Sequence, residues 1–442
     1  MQSRFVSSAS YIWIALCLMA AAGGIYISVA TSSVVPSESI LVGSAIALIW
    51  LGAAAIGTFY VLKGARWPWL IAIALHLAAW NIFVDFWPGG TDHTGNLELV
   101  RNMHAGLGYV AHYGPIPTFA YLPPGYPCLL AAWTWVFDLT QASVVALNLA
   151  LDVAAAITIF MIIRDLAPQA ASACAFAYLI WPNRILSSLL PSKEGLALFL
   201  FCQLLFWVGR THSKIRPVMI GVTAAGLALT QPAWVPAIVC VAIFSGRLRL
   251  IDMPAITLAG CAVMAPWWLH CYRAFGTFVM FTASGPLSME VVATGNKFDQ
   301  YPDRLAQGEI KGAKIAFKHA YSLILSDIPY YFYTRLVEAI RTLSFDFEAI
   351  SVKRDTAVAH LALTCQAFYV VVLALASRSK AAYISRITIG AIAAVIFMAA
   401  APFEFAQRHK EFLILLALLS AGLGRVPKLS NDALFNGKAV PD

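Results

Sequence analysis

Charged residues are scarce in this sequence. They make up 12% of its 442 residues, whereas about 25% of the residues in an average soluble domain are charged. This shortage excludes an ordinary soluble enzyme. The chain also has no CxxC pair, no repeat of the solenoid type and no low-complexity linker. We therefore expect one integral domain over residues 1–442 rather than a string of modules.

The eight cysteines are too scattered to predict a metal site. Most of them lie inside apolar runs, where a thiol usually behaves as a small hydrophobic side chain. Only Cys128 and Cys271 are near predicted loops. A disulfide between these two is left open, because the sequence does not say whether they are neighbours in space.

Long apolar segments are what the sequence has in abundance. Hydrophobic residues make up 60% of the chain, and the mean hydropathy is +0.75. Because helices satisfy their backbone polar groups internally, this predicts an all-α polytopic membrane protein with about 11 to 13 transmembrane helices. The first segment is too long for a signal-peptide core and is interpreted as a helix. The predicted segments are 10–30, 40–62, 67–84, 142–163, 170–181, 195–209, 217–230, 232–246, 253–270, 359–377, 384–401 and 412–423.

The basic residues indicate how these helices are oriented. The net charge of +8 is typical of cytoplasmic loops in a membrane protein, so nucleic acid is set aside as a partner. All the short basic loops fall on one side if residues 126–139 do not cross the membrane. The other side then receives two external loops, at about 85–141 and about 271–358, each predicted to carry a juxtamembrane helix. In the second loop this helix is expected over residues 320–340.

The first external loop contains the strongest candidate for a catalytic carboxylate. Asp92 follows a Gly-Gly break, and apolar residues then recur at helical spacing from Leu97 onward. This pattern predicts a short helix along the membrane surface, with Asp92 at the boundary between water and lipid. The alternative role of Asp92 is to cap that helix. Asp85 and Asp138 are weaker candidates, as a helix-end anchor and a cap.

Three histidines in the same loop raise the question of a metal site. His93, His104 and His112 are separated by 11 and 8 residues, which matches no usual ligand spacing. Solvated side chains are therefore the better interpretation. The sequence requires no cofactor, and participation of a divalent cation is left open.

Several motifs along the chain resemble one family. They are Asp92-His-Thr-Gly-Asn-Leu-Glu-Leu-Val-Arg-Asn-Met-His-Ala-Gly-Leu-Gly-Tyr109, Pro123-Pro-Gly-Tyr-Pro127, Pro191-Ser-Lys-Glu194, Ala228-Leu-Thr-Gln-Pro232, Pro266-Trp-Trp-Leu-His-Cys-Tyr-Arg-Ala-Phe-Gly276, Gly295-Asn296 and Gln407-Arg-His409. In order and spacing they resemble the GT-C superfamily of membrane glycosyltransferases. The bacterial branch that they resemble is similar to protein O-mannosyltransferases and to lipid A aminoarabinose and galacturonosyl transferases. Gln231 and His270 stand where that family usually has arginine.

The resemblance implies a GT-C-like helical bundle and an inverting sugar transfer. The donor in this family is a sugar on a polyprenyl phosphate, and the acceptor is a hydroxyl of a lipid, a glycan or a protein at the outer face of the membrane. Asp92 is then the expected general base. Cations are expected to stabilise the leaving phosphate. The residues expected to bind the donor phosphate are Lys193, Arg273, Arg408 and His270, with His409 as a further donor, and those expected to orient the acceptor are Glu194 and His93.

Each of these residues also has a structural alternative. Lys193 and Glu194 could form a charge pair at the start of a helix. Arg273 and Arg408 could extend to lipid headgroups, and His270 could be the polar tip of an interfacial side chain.

Other functional classes stay open as well. A lipid or glycan transporter or flippase would place ionisable residues at mid-bilayer depth, beside paired broken helices. Only Asp152 lies well inside a predicted span. The departures at Gln231 and His270 leave an inactive relative open, and a non-enzymatic assembly subunit is the third alternative. The family branch and the charge asymmetry predict a multi-pass protein of a bacterial inner membrane, with its loops facing the periplasm or the exterior.

Overall fold

The chain is almost entirely helical in a computed structural model. The structure describes residues 13–22, 37–83, 91–164, 167–210, 213–294, 301–344, 356–377, 382–400 and 410–423. The helices of the first half are α1 Trp13–Ala22, α2 Ser37–Leu62, α3 Pro68–Phe83, α4 Thr91–His104, α5 Gly125–Thr134, α6 Gln141–Arg164, α7 Pro168–Leu179, α8 Pro182–Ser188 and α9 Glu194–Gly209. Those of the second half are α10 Arg216–Thr230, α11 Val235–Phe244, α12 Met253–Phe275, α13 Ser284–Ala293, α14 Tyr301–Ala306, α15 Glu309–Ser326, α16 Ile328–Ser344, α17 Thr356–Ala376, α18 Ala382–Ala400 and α19 Glu411–Leu423.

Apolar helices make this an integral membrane protein, as the sequence predicted. Among the described residues, three segments are long and apolar enough to cross a membrane: Ala45–Leu62, Gln141–Arg164 and Leu250–Phe275. Shorter apolar helices pack beside them, including α7, α9, α10 and α19. The crossing of α10 and α12 is close because Gly221 lies against the Ile256 carbonyl and Gly260 faces Gly221. Small residues allow such approaches between membrane helices.

The two loops predicted to be external contact each other, and we call them together the cap. In the first loop, β1 (Ala111–Tyr113) pairs antiparallel with β2 (Ile116–Thr118). Apolar side chains of this hairpin pack on a cluster from α13, α14 and α15. The Glu309 carboxylate of α15 accepts the backbone N–H groups of Phe119 and Ala120, at 2.7 and 3.0 Å. Burial raises the pKa of Glu309, although these two hydrogen bonds lower it in part.

The juxtamembrane segment of the second loop differs from the sequence prediction. A single helix was expected over residues 320–340, but α15 ends at Ser326 and α16 begins at Ile328. Asp327 lies between them with an extended φ of −147°, and its Oδ1 accepts the Tyr330 N–H at 3.0 Å. The aspartate therefore caps α16, and the two helices can run in different directions.

The segment over residues 126–139 contains only the ten-residue helix α5. At 1.5 Å per residue such a helix is about 15 Å long, half of the roughly 30 Å of a hydrocarbon core. That this segment does not cross the membrane stays a prediction. The buried face of α5 packs with Leu97 and Val100 of α4 and with residues of α6 and α9.

Candidate active site

Asp92 and Lys193, which are far apart in sequence, form an ion pair in the structure. The Nζ of Lys193 lies 3.5 Å from the Oδ2 of Asp92, and their side chains are 15% and 28% exposed. Asp92 is the second residue of α4 rather than the residue before it. Its carboxylate thus sits in the first turn, where the helix dipole favours negative charge. The pair places a carboxylate and a cation side by side at a position that solvent can reach.

Backbone carbonyls of the segment before Lys193 are held by two buried asparagines. Asn96, on α4, donates from Nδ2 to the Pro191 carbonyl at 2.9 Å. Asn148, on α6, donates to the carbonyls of Ser188 and Leu190, at 3.0 and 2.6 Å. Buried hydrogen bonds of this kind are costly to lose, because the freed carbonyl has no water to replace its partner. They fix the segment that carries Lys193 relative to the helix that carries Asp92.

A buried ionic cluster lies next to this segment. Arg184, on α8, donates to Asp152 of α6 at 3.1 to 3.3 Å and lies 3.7 Å from Glu411 of α19. All three side chains are about 1% exposed. Tyr178 also donates to Asp152, at 3.0 Å, and Asn183 donates to Glu411, also at 3.0 Å. We call Asp152, Arg184 and Glu411 the ionic floor.

The ionic floor adjoins the start of α9. A side chain at Gly195 would place its Cβ 3.1 Å from the Arg184 guanidinium. Glu194 is buried, and its charge interacts with that of Arg184. Lys193 therefore faces Asp92, whereas Glu194 faces the interior of the bundle. The orienting role that the sequence predicts for Glu194 stays a prediction.

Two further family-like motifs meet at Gly125. A Cβ on Gly125 would overlap the Thr230 hydroxyl and lie 2.9 Å from the Thr230 Cα. Only glycine therefore allows the Pro-Pro-Gly-Tyr-Pro turn to approach the end of α10. The adjacent Gln231 is 2% exposed, and its Nε2 has no hydrogen-bond partner within the described ranges. Tyr126 donates to Asn148 at 3.1 Å, which joins this turn to the asparagine network.

His270 lies beneath the first external loop. Its Nε2 is 2.9 Å from the Phe119 carbonyl, and because a carbonyl can only accept, that nitrogen carries the proton. The ring stacks on Trp267, with centroids 5.3 Å apart, and meets the edge of Tyr109. Arg273 is exposed one turn further along α12, without a hydrogen bond or ion pair to the rest of the described chain. Among the described residues, neither His270 nor Arg273 contacts Asp92.

The remaining site candidates are placed as follows. His93 follows Asp92 in the first turn of α4 and is half-buried. His104 bonds to the Ala131 carbonyl at 3.1 Å, and His112 pairs with Glu98 at 2.6 Å. The predicted residues Asp85, Asn296, Arg408 and His409 lie outside the described residues.

No group of three or more His, Cys, Asp or Glu side chains could hold a metal ion in the described ranges. The eight cysteines all lie in those ranges, and none of them forms a disulfide. This includes Cys128 and Cys271, for which a disulfide was left open.

Sequence reasoning missed two members of the ionic floor. Arg184 follows a Trp-Pro break between two apolar runs and was not singled out as a candidate. Glu411 lies at the first residue of α19, where an acidic residue is common. The available clue was an arginine between two apolar segments, each too short to cross a membrane alone. Such short segments leave the residue between them inside the bundle.

No family model matches this sequence, and no curated protein matches it. The solved structures that are similar to it include the following two. One is the oligosaccharyltransferase of Archaeoglobus fulgidus in the apo form, with 16% identity and a TM-score of 0.47, covering 85% of this chain and 50% of that one. The other is ArnT from Cupriavidus metallidurans bound to undecaprenyl phosphate, with 14% identity and a TM-score of 0.40, covering 82% of this chain and 79% of that one.

The chain spans about half the length of the archaeal enzyme. At these TM-scores the likeness does not identify a donor, an acceptor or a catalytic base.

Proposed function

We propose that this protein is a membrane glycosyltransferase that moves a sugar from a polyprenyl phosphate to an acceptor hydroxyl. The observation that supports this most directly is the Asp92–Lys193 pair at 3.5 Å. It unites the two motifs to which the family resemblance assigns the general base and a phosphate-binding cation. A pair that served stability alone would gain little from a position open to solvent, since such pairs contribute about 0–1 kcal/mol.

The proposed reaction is a displacement at the anomeric carbon of the donor sugar. Asp92 accepts the proton of the acceptor hydroxyl while the hydroxyl oxygen forms a bond to the anomeric carbon. The bond from that carbon to the phosphate oxygen breaks, and the configuration inverts. Polyprenyl phosphate leaves with the electron pair, and the ammonium of Lys193 stabilises the new negative charge. Asp92 ends the step protonated and returns that proton to solvent before the next cycle, whereas Lys193 keeps its own proton.

The location of the site supports a transfer at the outer face of a membrane. Asp92 lies on α4 in the first loop of the cap, and Lys193 directly precedes the apolar helix α9. A lipid-borne donor would reach the pair from the bilayer and a lipid, glycan or protein acceptor from the cap. We place this face toward the periplasm of a bacterial inner membrane, as the charge asymmetry of the short loops predicts.

The test compares Asp92→Asn with Asp138→Asn, an exposed aspartate of the same loop. Cells expressing each variant, at matched levels in the membrane, are analysed by mass spectrometry of surface glycans and lipids. We expect the intact protein and Asp138→Asn to add a sugar that Asp92→Asn does not add. Full transfer by Asp92→Asn would rule Asp92 out as the base.

The same experiment separates the enzyme from a transporter. The ionic floor introduces buried charges of the kind that a transporter would use. They are paired with one another at 3.1 to 3.7 Å. If the protein is a flippase, loss of function traps the lipid-linked sugar on the inner face, so unused donor accumulates there. Accumulation of unused donor on the outer face in the Asp92→Asn strain supports the enzyme.

A further inference from the structure

A cavity lies in the cap, apart from the Asp92–Lys193 pair. Its volume is about 250 Å³, and it opens between the end of α13 and the facing sides of α15 and α16. Residues that line it include Ala293, Leu323, Tyr330, Tyr333 and Arg335. This volume is far above the roughly 10–15 Å³ that one water needs, so the cavity can hold a phosphodiester group.

Arg335 is the unusual member of this lining. It is 6% exposed, and its Nε is buried without a hydrogen-bond partner. No salt bridge joins it to another side chain in the described part of the chain. A buried guanidinium without a counter-ion costs free energy, since burial penalises its charged form. Burial accordingly lowers the pKa of Arg335, with Tyr331 and Glu338 acting in the opposite direction.

Two carboxylates also line the cavity, but each has another contact. Asp327 accepts the Tyr330 N–H at 3.0 Å as the cap of α16. Glu338 pairs with Arg341 at 3.6 Å, one turn along the same helix. The cation that has no such contact is Arg335, so the cavity is suited to an anion. Arginine binds the oxygens of a phosphate well, because its planar fork can donate two parallel hydrogen bonds.

The outer surface around the cavity has the character of a membrane interface. On α16, Tyr330, Phe332, Tyr333 and Leu336 are each more than half exposed. On α15, exposed lysines recur at helical spacing, at Lys311, Lys314 and Lys318. Tyrosines are enriched at the level of lipid headgroups, and basic helix faces bind anionic membrane surfaces. An anion at this position would come from the bilayer.

We propose that this cavity binds the phosphate of an anionic membrane lipid, with Arg335 as the residue that pairs with it. The acyl chains would lie along the exposed aromatic and aliphatic face of α16. The bound lipid supplies the counter-ion that Arg335 lacks and attaches the cap to the membrane surface. This site is independent of the sugar transfer proposed above.

The experiment measures lipid binding to the full chain, purified in detergent, by native mass spectrometry. The probes are phosphatidylglycerol, diacylglycerol as its phosphate-free counterpart, and inorganic phosphate as a competitor. The variant is Arg335→Gln, and the control is Lys214→Gln, which removes an exposed cation outside the cap. We expect one tightly bound phosphatidylglycerol in the intact protein and in Lys214→Gln. Arg335→Gln should bind it about tenfold more weakly or worse, as loss of a charge-assisted contact implies.

A second variant keeps the test valid if Arg335→Gln fails to fold. Ala293→Trp fills the cavity and leaves Arg335 in place, so it should also lose the bound lipid. The proposal is overturned if folded Arg335→Gln or Ala293→Trp binds phosphatidylglycerol as the intact protein does. Equal binding of diacylglycerol would overturn the role of the phosphate. Displacement by inorganic phosphate at equal concentration would show a site for free phosphate instead of a lipid.

Discussion

Replacing Arg184 by methionine tests whether the ionic floor holds the bundle together. Arg184 lies 3.1 Å from Asp152 and 3.7 Å from Glu411, and all three side chains are almost fully buried. With an effective dielectric constant of about 20, the two attractions amount to about 5 and about 4 to 5 kcal/mol. Removing each ion from water costs several kcal/mol, which offsets most of that gain.

The net effect of the substitution follows from what stays behind. Arg184→Met removes the only cation of the floor and leaves two buried carboxylates without their shared guanidinium. Breaking a buried pair in this way typically costs about 3–5 kcal/mol. We expect a loss of that size in the free energy of unfolding. The triple variant that adds Asp152→Asn and Glu411→Gln removes all three charges, so it should recover most of the loss.

The assay is unfolding by SDS in mixed micelles, followed by the fluorescence of the 13 tryptophans. Lys193→Met is the comparison, because its ion pair with Asp92 is partly exposed. That variant should change stability by less than about 1 kcal/mol yet abolish sugar transfer. The reasoning fails if Arg184→Met is as stable as the intact protein, or if the triple variant is no more stable than Arg184→Met.

Two further predictions concern the cap and the turn below it. Burial raises the pKa of Glu290, but hydrogen bonds from Arg304 and His319 bring it below the ordinary value of 4.5. The stabilisation that ionised Glu290 contributes is therefore complete above that value and is lost as the pH falls through the folded pKa. The difference in melting temperature between the intact protein and Glu290→Gln should thus shrink on acidification from pH 7. Gly125→Ala should lower thermal stability because its Cβ meets the Thr230 backbone, whereas Gly52→Ala, with open space around it, should raise it slightly.

The helices were predictable because each is a local property of the sequence. The predicted span 40–62 corresponds to α2, which covers Ser37–Leu62, and the span 195–209 corresponds to α9, which covers Glu194–Gly209. Apolar runs and proline or glycine breaks fix such segments whatever their neighbours are. The break at Asp327 in the second loop was missed because the apolar pattern continues through it. Only the cap that this aspartate makes with the Tyr330 N–H ends one helix and starts the next.

The pairing of side chains across the bundle was not predictable in the same way. The motifs identified Asp92 and Lys193 separately, but only the packing of α4 against the start of α9 brings their charges to 3.5 Å. The ionic floor depends on three helices that are far apart in sequence. Arg335 is similar, since a basic residue on an amphipathic helix is normally solvated. Its burial follows from the neighbouring helices, which the sequence does not place.

Lys193 and Glu194 explain how the floor and the candidate active site are connected. They are adjacent in sequence, and α9 begins between them, so their side chains point in directions about 100° apart. Lys193 is 15% exposed and pairs with Asp92, whereas Glu194 is 6% exposed and interacts with Arg184. A shift of Arg184 would therefore move the first turn of α9 and carry the lysine with it. The scarce charges of this chain thus lie in three environments, namely the short loops, the cap, and the ionic floor that adjoins Lys193 at the start of α9.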